Sequence, residues 1–579
     1  LKMGFLAAGE KRFVLEPSIQ LGDIDVEHPL STEFIPVSFE GHAGVLHRPT
    51  SKPRLGVTVV ICPPAGRDAR CAYRPMFLWA EDLARRGFQV LRYDNLGEGD
   101  SLGLEPEADQ WDAWLGGVHA AAAFARAYTG AQQLVLCGVR AGGALALAAA
   151  ESVKPDGVML LSPTPSGAAW LRDLRFAAAI QRAPATTDGS IEVDGVRLSA
   201  ATIQSLQSVD VTKTPRVWRD AFMAAPPSGA ALAATLGPDA TVRPFEGHAA
   251  FFKEPHVNEQ PTRVLEEAAE WLEYFAAGAP RPKKAPALAP AVLEQGGWRE
   301  RPVAFGDGLR GVLCLPSNGG GARAVLIGNT AGDPRAGIGG FAAQACRTLA
   351  KAGVAALRFD FRGVGESASG EAWRSHPYDT PRLPDFRAAA ELVRAHGYSE
   401  ITLLGVCTGG YHAIQAVLDD PQFDRAIAIN SWLVWRPERM PLQMRSEMAL
   451  NGADPLKPPA PPPAKDGLTP RVARKLQGLV SSTIPDAPCR KVRARLQAAA
   501  RRGVRVHLIL GRGDASTRSL EAEFGLECGW IARQRGFTVS MRRDIDHALF
   551  SPQSQRNAMG DILRALELAP AAHRLPKSA

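Results

Sequence analysis

The chain repeats itself. Residues 36–49 read PVSFEGHAGVLHRP and residues 302–316 read PVAFGDGLRGVLCLP, 266 positions later. The same spacing of 266 separates RRGFQVLRYDNLGEGDS, ending at Ser101, from KAGVAALRFDFRGVGES, ending at Ser367. Two further segments, LVLCGVRAGG and ITLLGVCTGG, put Arg140 and Cys407 in matching positions 267 apart. A period of this length is far beyond that of a solenoid repeat, so each copy is a whole domain. With 579 residues the chain is too long for one core in any case.

Within each copy, short β-branched runs alternate with longer helical patterns. In the second copy RAVLIG, VAALRFD, ITLLG, RAIAIN and VRVHLIL read as strands apolar on both faces. Only a sheet covered by helices on both sides wants such strands. GGFAAQACRTLAKAG and RLPDFRAAAELVRAHG supply crossover helices, and the alternation predicts a doubly wound, mostly parallel α/β sheet in each copy. The expected division is residues 1–278 for the first domain, a Pro/Ala-rich linker over 279–300, and 301–579 for the second, with an inserted cap at about 431–502.

Composition narrows the class of function. Net charge is only +7 and the arginines are scattered; the one compact basic run, RPKK at residues 281–284, lies among prolines. That is no nucleic-acid footprint. No run of 18 apolar residues is present, so no membrane span is expected. Eight cysteines form no CxxC pair and no zinc-spaced cluster, which predicts free thiols, a cytoplasmic location, and no metal or cofactor.

The chemistry concentrates at Gly405-Val406-Cys407-Thr408-Gly409, a strand-to-helix turn of the form G-x-S-x-G with cysteine at its apex. Small neighbours two residues either side let strand and helix approach, and the apical side chain is pushed out above the sheet. The helix N-terminus beneath it favours the thiolate, the nucleophilic form. Downstream, Asp514 follows the strand VRVHLIL and His547 follows the next strand-like run, giving the order nucleophile, acid, base. Cys407 is therefore read as nucleophile, His547 as general base and then acid, and Asp514 as the residue that orients it. Asp544 and Asp546 lie too close to His547 in sequence for the usual pairing. An oxyanion hole is expected from the N–H of Thr408 and from Asn329 or Thr330 in NTAGDPRAGIGG. Trp432 and Trp435, just past RAIAIN, are candidates for an apolar acyl pocket.

The first copy keeps the frame and loses the chemistry. Arg140 fills the apical slot, and a guanidinium cannot be deprotonated to attack a carbonyl. Aligning Leu232 with Leu520 places Pro226 where the second copy has Asp514. His248 alone remains. Arg140 and His248 are either the props of a retired site or a site for a carboxylate or phosphate.

On these residues both copies resemble α/β-hydrolases of the serine-aminopeptidase-like, cap-bearing type. CPPAG, LGEGDS, WDAWL and GVRAGG make the first copy similar to the exosortase A system-associated hydrolase 2 group. LRFDFRGVGES and the cysteine elbow make the second similar to the companion hydrolase 1 group. GVCTGG also resembles the elbow of polyhydroxyalkanoate synthases, which implies acyl transfer through a cysteine thioester. A thioester exchanges with a cysteine at little cost, and the acyl-enzyme keeps enough energy to acylate an acceptor. The expected activity is thus an acyltransferase or thioesterase acting on an acyl thioester of coenzyme A or a carrier protein, with a small-molecule acceptor. A cysteine-dependent ester or lactone hydrolase is the alternative, and a non-catalytic scaffold the third reading.

Overall fold

The computed structural model of the chain describes residues 32–180, 186–368, 377–434 and 488–568. The first copy contributes β1 (Thr32–Phe39), β2 (His42–Pro49), β3 (Val57–Cys62), β4 (Gln89–Tyr93), β5 (Gln133–Val139), β6 (Gly157–Leu161), a hairpin of β7 (Ile191–Val193) and β8 (Val196–Leu198), then β9 (Asp220–Ala225) and β10 (Thr241–Pro244). Its sheet runs β1-β2-β4-β3-β5-β6-β9-β10. The second copy contributes β11 (Leu293–Gln295), β12 (Trp298–Phe305), β13 (Leu309–Pro316), β14 (Arg323–Ile327), β15 (Ala355–Asp360), β16 (Glu400–Val406), β17 (Arg425–Ile429), β18 (Arg505–Gly511) and β19 (Phe537–Arg542). Its sheet runs β11-β12-β13-β15-β14-β16-β17-β18-β19. Apart from β11 the two orders are identical. The leading strands are antiparallel, and from β4 and β15 onward every pair is parallel. This is the doubly wound α/β-hydrolase sheet, used twice.

Alternation along the central strands explains it. In β5, Leu134 and Leu136 pack into one apolar cluster while Val135, Cys137 and Val139 pack into another on the opposite face. A strand buried on both sides needs helices above and below, and crossover connections supply them. The five strands and two helices expected in the second copy all form, the helices as Phe341–Lys351 and Leu383–Ala395.

One boundary differs from expectation. The linker is shorter than 279–300, because Leu293–Gln295 pairs with β12 and Trp298, 2% exposed, already belongs to the second core. Of the cap expected at 431–502, the structure describes residues 431–434 and the helix Pro488–Arg501. In the first copy, the insertion between β6 and β9 holds the helices Gly167–Ile180 and Ala200–Ser208 beside the β7–β8 hairpin.

The copies meet through buried ion pairs that obey the repeat. Arg92 and Arg358 are equivalent positions, as are Asp100 and Glu366, each pair 266 apart. Across the interface Arg92 Nη2 donates to Glu366 Oε1 at 2.5 Å, and Arg358 Nε donates to Asp100 Oδ1 at 2.9 Å. Residue i of one copy thus meets residue j of the other, and the reverse, as in a two-fold dimer. Arg335 adds contacts of 2.8 Å to Asp100, Asp360 and Glu366. All these side chains are less than a tenth exposed. Removing one partner from such a cluster strands a buried charge, at a cost of about 3–5 kcal/mol. A cavity of about 370 Å³ lies at this junction, between Arg92, Arg310, Arg335 and Arg358; Cys407, Asp514 and His547 do not line it.

Candidate active site

Cys407 is the N-cap of the helix Thr408–Asp419 with φ 52° and ψ −115°, a left-handed backbone that a side chain other than glycine adopts only under strain. Its neighbours allow the turn to close. A Cβ on Gly405 would sit 2.1 Å from the carbonyl carbon of Gly409, and one on Gly409 would sit 2.6 Å from the carbonyl oxygen of Asn329. The consequence is exposure: seven of the eight cysteines are buried and Cys407 is not. Burial pushes the Cys528 thiol up to about 12, and burial likewise brings Cys346 to about 12, so these are inert packing groups.

The structure brings the three expected residues together. His547 Nδ1 lies 2.6 Å from Asp514 Oδ2, and the Cys407 sulfur lies beside the same imidazole and interacts with it. Surrounding protein opposes protonation of that ring. The Cys407 sulfur and the Asp514 carboxylate favour it and prevail, so its pKa stands well above the usual histidine value. Forty-four per cent of the side chain remains accessible, so the shift rests on those two contacts, and the open ring face is available to a substrate. Burial would raise Asp514; its contacts with His547 and Ser516 outweigh this and hold it below the usual carboxylate range. Asp544 pairs with Arg542, and Asp546 accepts from Phe550 N, Ser551 N and Ser551 Oγ, so neither carboxylate serves the imidazole.

The expected oxyanion-hole residues surround the elbow. Thr330 Oγ1 donates to the Val406 carbonyl at 3.2 Å, and Ala331 N donates to Thr408 Oγ1 at 2.6 Å. Among the described residues the N–H groups of Asn329, Thr330 and Thr408 have no acceptor. The Asn329 side chain is an interior brace instead: its amide donates to Asp333 O and Asp360 Oδ1, and its oxygen accepts from Phe361 N. Trp432 is half-buried just past β17, while Trp435 lies outside the described residues.

Two contributors are invisible in sequence spacing. Asn430, at φ 46°, donates to the carbonyls of Asp546 and His547 and accepts from Gly511 N, pinning the histidine loop to the sheet. Tyr378 brings its hydroxyl 3.3 Å from Cys407 Sγ. Burial, then the nearby sulfur, keeps its phenol pKa well above the ordinary value, so the hydroxyl stays protonated beside the sulfur. Tyr378→Phe is expected to lower kcat/KM by about 10-fold, the worth of one hydrogen bond to a charged group. Unchanged kinetics would make the contact incidental.

His412, on the same helix, places that tyrosine: its Nε2 lies 2.8 Å from the Pro377 carbonyl. Burial lowers its pKa from 6.5 to about 4. The unfolded chain therefore binds the extra proton, and the stability due to neutral His412 is complete above pH 6.5 and lost as pH falls toward about 4. Urea unfolding at pH 7 and pH 4.5 is expected to show that His412→Gln loses roughly 2 to 3 kcal/mol less on acidification than the parent chain.

A family model described as serine aminopeptidase, S33, matches residues 73–235 and 336–482, together more than half of the chain. The chain belongs to the serine aminopeptidase S33 family of hydrolases. The match falls once on each copy, and the second stretch includes Cys407 and stops before Asp514 and His547. No curated protein matches the chain. Solved structures similar to it include an α/β serine hydrolase without lid from Xanthomonas campestris, at 17% identity and TM-score 0.28, covering 44% of this chain and 99% of that one. Est1E from Butyrivibrio proteoclasticus, solved with ferulic acid, has 17% identity and TM-score 0.33 over 42% of this chain and 99% of its own. A hypothetical protein from Pseudomonas aeruginosa has 15% identity and TM-score 0.32 over 45% and 99%.

As an S33 hydrolase domain the first copy departs from its own fold's needs. Arg140 has the elbow backbone, φ 53° and ψ −120°, but its Nε donates to Asp68 at 3.0 Å and its guanidinium lies over the Phe252 ring. The guanidinium is thus engaged by a carboxylate and an aromatic ring of its own copy. Strand register makes Ala224 the counterpart of Ile509, since Leu161 pairs with Ala224 as Ile429 pairs with Ile509. The turn after β9 is shorter than its counterpart, and residues 226–229, Pro-Pro-Ser-Gly, offer no carboxylate. His248 Nε2 meets Ser162 Oγ at 2.9 Å. The loop after β3 adds a loss unnoticed in the sequence. A Cβ on Gly142 would strike Cys62 and Pro63, as one on Gly409 strikes Gly328 and Asn329, so Pro63 and Pro64 replace Asn329 and Thr330. Proline has no N–H to offer an oxyanion.

Proposed function

We propose that the second copy performs acyl transfer through a cysteinyl acyl-enzyme, with Cys407, His547 and Asp514 as its triad and an acyl thioester of coenzyme A or a carrier protein as donor. The observation that carries the reading is the strained, accessible thiol beside an imidazole whose far nitrogen is held by a carboxylate 2.6 Å away. In the first half-reaction the thiolate attacks the thioester carbonyl. The oxyanion is received by the N–H of Thr408 and one from Asn329 or Thr330. The carbon–sulfur bond to the donor then breaks, and His547 gives its proton to the departing thiolate. In the second half-reaction His547 takes a proton from the acceptor, an alcohol, amine or water, as it attacks the acyl carbon; Cys407 leaves as thiolate. Trp432 would border the acyl chain.

Ester or lactone hydrolysis by the same residues is the second reading, favoured by membership of a hydrolase family. Intact mass after incubation with acyl-thioester probes separates them. An adduct absent from Cys407→Ala and discharged faster by an added amine or alcohol than by water supports transfer. Rapid ester turnover indifferent to acceptor supports hydrolysis. No adduct and no turnover would refute both.

A further inference from the structure

The first copy lacks nucleophile, acid and loop N–H donors, yet one of its buried ion pairs with the second copy falls on the loop that carries Asn329 and Thr330. Arg70, on the helix Arg67–Arg86, reaches across the interface with Nη1 2.7 Å from Asp333 Oδ1. The arginine is held from behind by Glu254 at 2.6 Å, and both Arg70 and Asp333 are less than a tenth exposed. Asp333 closes the turn itself: its N–H donates to the Thr330 carbonyl at 2.9 Å, and its carbonyl accepts from Asn329 Nδ2 at 2.7 Å. Between them, Gly332 meets first-copy backbone so closely that a Cβ there would lie 2.8 Å from His256 N. On the opposite side the loop is tied to the nucleophile helix through Ala331 N and Thr408 Oγ1.

This contact breaks the symmetry of the interface. The exchanged pairs of Arg92 with Glu366 and Arg358 with Asp100 run both ways. By the same 266-residue spacing, the counterpart of Arg70 is Ala336 and the counterpart of Asp333 is Arg67. Those two residues cannot form the reciprocal ion pair, so the clamp runs only from the disarmed copy onto the armed one.

We infer that the first copy is a positioning subunit in cis: through Arg70 and the 255–256 backbone it fixes the Asn329–Asp333 turn in the shape the second copy's site requires. This rests on the Cys407 reading for its catalytic consequence and on the interface alone for its structural one. An oxyanion hole must be formed before charge develops, so a loop left free to move loses rate rather than affinity.

The test uses the full chain with Arg70→Met, and Asp333→Asn as the second variant should the first fail to fold. Three readouts are taken: hydrogen exchange of the peptide spanning 328–341, steady-state turnover of an acyl-thioester probe, and iodoacetamide alkylation of Cys407. The expected result is faster exchange confined to that peptide, kcat lower by about 10- to 100-fold with KM within about threefold, and an alkylation rate close to the parent's. Arg70→Lys, which keeps the charge, recovers part of kcat. Unchanged exchange and kcat in a folded Arg70→Met would overturn the inference. So would parallel loss of alkylation, which would locate the damage at the nucleophile. If the parent chain turns over no probe, the Cys407 reading fails, and the exchange arm still decides whether the clamp exists.

Discussion

Cys407→Ala is expected to lower kcat on an acyl thioester by about 10⁴-fold or more, with the fold and its melting temperature essentially intact. The side chain is only partly buried, at the edge of one apolar layer of its sheet, so truncation leaves no closed cavity. Whatever rate remains comes from the oxyanion donors and from substrate binding. Alanine also relieves nothing at the elbow, since any side chain with a Cβ meets the same strain at φ 52°. Cys407→Ser is the sharper probe of chemistry. It preserves the bend and a proton for His547 to take, but its acyl-enzyme is an ordinary ester. Serine should recover part of the ester turnover and little of the transfer from thioester to amine, because the ester retains less energy to pass on. Parent-like kcat in Cys407→Ala would place the reaction elsewhere in the chain.

How much of this could be read from residues alone divides along a physical line. Features fixed by local geometry were legible. The repeat was, because equivalent strands keep their spacing; so was the elbow, because Gly405 and Gly409 have no room for a Cβ. The pairing of Asp514 with His547 followed from chain order on a known sheet sequence. Contacts between segments distant in the chain were not legible. Tyr378 reaches Cys407 from a loop 29 residues away, and nothing in the spacing of a lone tyrosine announces it. Asn430 read as the end of a strand, when its amide in fact anchors the histidine loop. Least visible was the interface. Arg92, Asp100, Arg358 and Glu366 sit in the best-matched stretches of the repeat, where similarity reads as a shared turn; only folding shows that the two turns face each other.

Asp514→Asn should cost about 10⁴-fold in kcat while leaving KM nearly unchanged, although it alters one atom of a side chain that does not meet the substrate. Asp514 has two duties. Its Oδ1 accepts from Ser516 N at 2.7 Å and from the Ser516 hydroxyl, capping the helix Ala515–Phe524, and its Oδ2 accepts from His547 Nδ1 at 2.6 Å. An asparagine must keep its oxygen on the Ser516 side, where two donors await it, and so turns its NH₂ toward the imidazole. Nδ1 then becomes an acceptor, and the proton moves to Nε2, the nitrogen that should take one from Cys407. The ring also loses the carboxylate that helped hold its pKa up, so the protonated form needed to discharge the leaving thiol is less available at any given pH. Both halves of the cycle suffer together, which is why the loss should appear in kcat. Thermal stability should change little, because the cap to Ser516 survives. Asp546→Asn gives the contrast. That carboxylate binds Phe550 N and Ser551, not the imidazole, so its loss should lower stability and leave the tautomer unaltered. If the two variants lost kcat equally, His547 would owe its orientation to the loop as a whole and not to the carboxylate at 514.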